Sequence, residues 1–137
     1  MAILNPYLNF HGNAREAMEF YRDVFGGELT INTYGDFGNP DESQADKVMH
    51  GHLKTRMGFD LMGADVPGGE GEVKVSGMNI VVSGDEEVEL RGYWEKLSEG
   101  ATISMALEKQ MWGDIYGDLT DRFGTPWAID IGTDEGA

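Results

Sequence analysis

Two stretches decide the fold: Tyr21-Arg22-Asp23-Val24-Phe25-Gly26-Gly27 and Trp94-Glu95-Lys96-Leu97-Ser98-Glu99-Gly100. In each, an aromatic residue is followed at three-residue steps by an aliphatic residue and then a glycine. The triplets are Tyr21, Val24, Gly27 and Trp94, Leu97, Gly100. Residues three apart share a helix face, and a glycine just past an apolar stripe ends a helix. Each stretch therefore predicts the last turn of a packed helix. The same spacing in both halves of the chain predicts a duplicated unit.

Outward from the first helix the pattern is strand, helix, strand, hairpin. Residues 3–10 alternate, with Leu8 and Phe10 on one face and Asn5, Tyr7 and Asn9 on the other, as in a strand with one buried face. Pro6 falls near its start, where proline is tolerated. Asn13 is placed to cap the helix, with Glu16 at the capping-box position. The stripe Ala14, Ala17, Met18, Tyr21, Val24, Phe25 carries the apolar face. Residues 28–34 read as a strand, 35–46 as a Gly/Pro/Asp loop, 48–55 and 57–62 as a hairpin, and 63–72 as the connection between halves. The second half repeats the plan with strands at 77–82, 101–107, 113–120 and 126–131 and a helix at 85–99. The expectation is an α+β chain of two βαβββ modules, 1–66 and 76–133, within one domain over 1–134, their mixed sheets curving into a cup. A ferredoxin-like βαββαβ fold would leave several strand signals unused.

A chain of 137 residues, 40% hydrophobic, suits one domain with a real core. It has no cysteine, which excludes disulfides, thiolate metal sites and cysteine nucleophiles. With 25 acidic and 10 basic residues the net charge is −15. Such a surface repels phosphate backbones and anionic lipids, so neither nucleic acid nor membrane is an expected partner. The acid serves solubility or draws a cationic ligand. Apolar runs are short and broken, and the N-terminus lacks the basic start of a secretory signal. A cytoplasmic setting is the expectation.

His50 and His52 lie two apart, on one face of a strand. That spacing can chelate a metal, or the pair can line a polar face. Asp60 can act as a general base if burial raises its pKa, or it can be a satisfied polar group near a turn. His50 can serve as base near neutral pH. Tyr7, Trp112 and Tyr116 fall where side chains would wall a pocket, and with acids nearby they suit a cationic or flat ligand. Trp94 and Trp127 read as core, as do most of Met49, Met57, Met62, Met105 and Met111. His11 reads as a surface loop residue. No serine sits in a nucleophile elbow.

The runs Asn5-Pro6-Tyr7-Leu8-Asn9-Phe10, Gly12-Asn13-Ala14, Glu19-Phe20-Tyr21 and Phe25-Gly26-Gly27 resemble the opening of PhnB-like proteins of the vicinal oxygen chelate superfamily. These sit with glyoxalase I, bleomycin-resistance proteins and extradiol dioxygenases. His50, Asp60-Leu61-Met62 and Asp65 resemble them too. So does the closing run Trp112-Gly113, Tyr116-Gly117, Thr120-Asp121-Arg122-Phe123-Gly124 and Pro126-Trp127. The resemblance implies the glyoxalase/bleomycin resistance/dioxygenase fold, a homodimer and a small-molecule ligand. Metal-dependent members place His, Gln or Glu on the first and fourth strands of each module. Matching core alternation puts those positions at Asn5, Asp60, Gly77 and Ala128, which offer too few donors. No metal and no cofactor are therefore expected. A methyltransferase label attached to some PhnB-like members finds no Gly-rich strand-to-helix turn here. The expected ligand-binding set is Tyr7, Asn9, His50, His52, Asp60, Trp112 and Tyr116, in a metal-free binding or sequestering protein. The alternative is a lyase, isomerase or dioxygenase using Asp60, His50 or a metal.

Overall fold

Pro6 has no N–H to give a sheet, and the first strand pairs only beyond it. In the computed structural model, which describes residues 2–38, 44–66 and 77–132, β1 spans Tyr7–Phe10 rather than 3–10. Pro6 contributes its carbonyl alone, accepting from Met62 N at 3.1 Å. Helix α1, Ala14–Phe25, follows, then β2 (Gly27–Thr33), a 3₁₀ turn (Gly35–Phe37), β3 (Val48–Thr55) and β4 (Asp60–Asp65). The second set is β5 (Ile80–Gly84), α2 (Glu87–Leu97), β6 (Thr102–Lys109), β7 (Ile115–Thr120) and β8 (Pro126–Ile131). The sheet orders are β1-β4-β3-β2 and β5-β8-β7-β6. In each sheet the first strand runs parallel to the fourth and the other neighbours are antiparallel. Two such four-stranded mixed sheets give the expected α+β plan and exclude the ferredoxin-like alternative.

The chain divides into two compact units, Met1–Val73 and Lys74–Ala137. Of the connection placed at 63–72, residues 63–65 belong to β4, and 67–72 lie outside the described residues, as do 76, 133 and 134.

In the first unit α1 packs on β2, β3 and β4. Phe10, Met18, Tyr21, Phe25, Leu53 and Leu61 fill the interface and are fully buried or nearly so. Asn13 makes no side-chain cap bond. The cap comes instead from Asp65 at the end of β4, whose Oδ1 accepts from Gly12 N (2.7 Å) and Ala14 N (3.0 Å). Its Oδ2 accepts from Val48 N at 2.9 Å. A carboxylate from the sheet thus replaces the local capping box, favoured there by the amides and dipole of the helix start. The hairpin turn takes residues 56–59, closed by Gly58 N to Thr55 O and Thr55 N to Phe59 O. This moves the fourth strand three residues later than the apolar pattern of 57–62 suggests.

In the second unit the matching turn runs 122–125, with Gly124 N to Asp121 O and Asp121 N to Thr125 O. Thr55 and Asp121 are therefore counterparts. The glycines that match are Gly26 and Gly100, not Gly27 and Gly100. They share φ of +72° and +73°, and a Cβ on either would meet the side chain of Arg56 (2.9 Å) or Arg122 (3.2 Å). Trp127 and Leu97 are fully buried, whereas Trp94 is half-buried. The methionines are less often core than expected. Met18 is buried, Met49 and Met62 half-buried, and Met57, Met105 and Met111 exposed, because they fall in turns or on the edge strand β6.

Candidate functional site

The face of the first sheet turned away from α1 carries the site. A bulge sets its register. Asn32 pairs with His50 and Thr33 with Val48, so Met49 is the extra residue. This lets Val48 reach the core while His50, His52 and Lys54 all point to the open face. Their cross-strand partners on β2 are Asn32, Thr30 and Glu28, and these six residues line a pocket of about 350 Å³. From β4, Asp60 pairs with Lys54 and Met62 with His52. From β1, Tyr7 lies beside Met62 and Asn9 beside Ala64.

Two hydrogen bonds organise this face. Tyr7 Oη lies 3.2 Å from His50 Nδ1, with the rings 5.8 Å apart. His52 Nε2 donates to Asp60 Oδ2 at 3.1 Å, both side chains about a quarter exposed. The two imidazoles meet edge to face at 6.2 Å. The structure thus brings together Tyr7, Asn9, His50, His52 and Asp60. Sequence reasoning missed Glu28, Thr30, Asn32 and Lys54, which following the alternation across the β2–β3 pairing would have found.

Trp112 and Tyr116 belong to the second unit and make a separate pair, with ring centroids 6.1 Å apart. Trp112 sits in the β6–β7 turn and is 54% exposed rather than a strand-borne wall. Tyr116 Oη donates to Asp118 Oδ2 at 3.1 Å. Burial, then that bond and the Asp118 charge, raise the Tyr116 pKa. Beside it, Asp130 has its pKa raised by burial first, then by a hydrogen bond and charge repulsion from Asp114. This acidic group carried no periodic signal in the sequence.

Among the described residues neither unit gathers a metal-binding set. The turn register makes Asn79 the counterpart of Asn5, Pro126 that of Asp60 and Met62 that of Ala128, so Gly77 and Ala128 do not mirror Asn5 and Asp60. Donors on the first sheet bond each other in pairs, and among the described residues no three His, Asp or Glu side chains group as a metal set. Among the described residues no helix is long and apolar enough to cross a membrane.

A family model described as 3-demethylubiquinone-9 3-methyltransferase matches residues 2–130. Protein PA1353 from Pseudomonas aeruginosa superposes with a TM-score of 0.85 at 31% identity, covering 98% of this chain and 100% of that one. A putative 3-demethylubiquinone-9 3-methyltransferase, PhnB protein, from Bacillus cereus gives 0.77 at 25%, over 96% and 100%. A glyoxylase/bleomycin resistance protein/dioxygenase domain from Frankia sp. EAN1pec gives 0.71 at 12%, over 97% and 98%, and shows the fold alone. The chain belongs to this PhnB-like family, the one described as 3-demethylubiquinone-9 3-methyltransferase, and has the glyoxalase/bleomycin resistance/dioxygenase fold.

Proposed function

We propose that the chain is a small-molecule-binding protein that holds its ligand on the open face of the first sheet, without a catalytic metal. One observation carries the reading. Three cross-strand pairs, Glu28–Lys54, Thr30–His52 and Asn32–His50, line one pocket of about 350 Å³, with Tyr7 and Asp60 bonded to its two imidazoles. That volume suits a small ligand, and convergent polar side chains fix orientation. Asn9 flanks the same face. Trp112 and Tyr116, paired on the second unit, are proposed as ligand-contacting residues of that unit. A homodimer is part of the same proposal.

The test is an NMR screen of small polar fragments against the ¹⁵N-labelled protein, beside elemental analysis after dialysis. Hits should shift the amides of Thr30, Asn32, His50 and His52. They should lose at least about tenfold in affinity in Thr30→Trp, which fills the pocket from an exposed position. Fragments that leave this face unperturbed, or a stoichiometric divalent metal retained at the histidines, would overturn the proposal.

A further inference from the structure

On the reading that this pocket binds a ligand, we infer that Asp60 fixes His52 in a single tautomer, so that the pocket meets its ligand with a bare ring nitrogen and selects small polar molecules bearing a hydroxyl or N–H donor. Proton count fixes the tautomer. A carboxylate has no hydrogen to give, so the contact of 3.1 Å between Asp60 Oδ2 and His52 Nε2 requires an N–H on Nε2. A neutral imidazole has one N–H, which leaves Nδ1 as a lone-pair acceptor. Among the described residues no hydrogen bond reaches that nitrogen, and His52 lines the pocket.

His50 is not fixed in the same way. Its partner, the Tyr7 hydroxyl, can donate or accept a hydrogen bond, so His50 adapts to whichever group it meets. Lys54 lies between Glu28 on one side strand and Asp60 on the other, so its charge is offset and does not make the pocket a general anion trap. The feature that discriminates is the acceptor at His52, and Asp60 is its positioning residue.

Long-range ¹H–¹⁵N correlation of the imidazole rings reads the tautomer directly. Wild type should show His52 protonated at Nε2 and bare at Nδ1. In Asp60→Asn the amide can donate to Nε2 instead, and the spectrum should shift towards the Nδ1–H form. Phenol and anisole are the binding probes, alike in shape and differing in the O–H. Phenol should bind about 5–10-fold more tightly, the scale of one hydrogen bond, and lose that preference in Asp60→Asn. His52→Phe, which keeps an aromatic ring of similar breadth and removes both nitrogens, should lose it too and serves where Asp60→Asn does not fold. A wild-type His52 protonated at Nδ1, or equal binding of the two probes at Thr30 and Asn32, overturns the inference while the pocket stands. If neither probe perturbs that face, the binding reading itself falls.

Discussion

The two units share a plan and differ in how they use their sheets. In the first, α1 covers three strands and buries seven side chains, Ala14, Ala17, Met18, Phe20, Tyr21, Val24 and Phe25. In the second, α2 rests mainly on β5 and β8 and buries three, Leu90, Tyr93 and Leu97. The outer strands follow suit. Leu29 on β2 is half-buried, whereas its counterpart Ile103 on β6 is 48% exposed. The register of β6 also breaks twice, at 103–105 and 105–108. Duplication therefore preserved the strand order and the turns, while the packing of one half loosened. The polar pairs, imidazole and carboxylate, sit on the well-packed sheet, which suits a site that needs fixed geometry.

The largest expected effect tests how each unit is pinned. In the second, Asp121 is buried and accepts from Phe123 N (2.8 Å), Thr125 N (3.0 Å) and Trp127 Nε1 (2.9 Å). In the first, the counterpart Thr55 holds the same turn with one hydroxyl, bonded to Phe59 N and O, and Asp65 pins the helix start instead. Asp121→Ala leaves three donors without their acceptor and should cost about 3–5 kcal/mol in urea denaturation. Asp65→Ala should cost less, about 2–3 kcal/mol, since water can reach the partly exposed Gly12 amide. The reverse order would show that the looser unit is not the one that depends on its buried carboxylate.

The next effect sharpens the contrast between outer strands. Leu29→Ala should destabilise by about 1–2 kcal/mol, a partly buried truncation. Ile103→Ala should cost under about 0.5 kcal/mol, as an exposed change. Paired denaturation curves measure both. Equal costs would mean that β6 is covered in solution, and sedimentation of wild type against Ile103→Asp would then show whether a second copy covers it.

The comparison also explains what was legible. Element order and the core faces of β1, β4, β5 and β8 were readable, because apolar alternation and helix stripes record burial directly. The counterpart of Asn5 was not. A strand pattern of period two looks the same after a slip of two residues, so alternation alone matched Asn5 to Gly77, and only the turn bonds of Gly58 and Gly124 make it Asn79. The bulge at Met49 left no mark either, since one extra residue in an apolar-polar run breaks no composition rule. His50, His52 and Asp60 were readable as residues sharing a face. Their pairing into separate bonds was not, because it depends on which strand lies next to which.

The smallest effect concerns the acids of the second unit. Burial and the Asp114 carboxyl raise the pKa of Asp130 above its ordinary 3.8, so the folded chain holds this proton to higher pH than the unfolded chain does. In strong acid both states are protonated and the group contributes nothing. As pH climbs past 3.8 the unfolded state ionises first, so stability falls until the folded-state pKa is passed, and the loss then stays constant. Asp130→Asn removes the charge but keeps a donor for Asp114. It should match wild type in strong acid and exceed it at neutral pH by about 0.5 kcal/mol, the scale of a partly screened charge pair. Urea midpoints compared across that range decide it. A variant less stable than wild type at neutral pH would mean that the Asp130 carboxylate stabilises the second sheet, and that burial beside Asp114 does not penalise its charge.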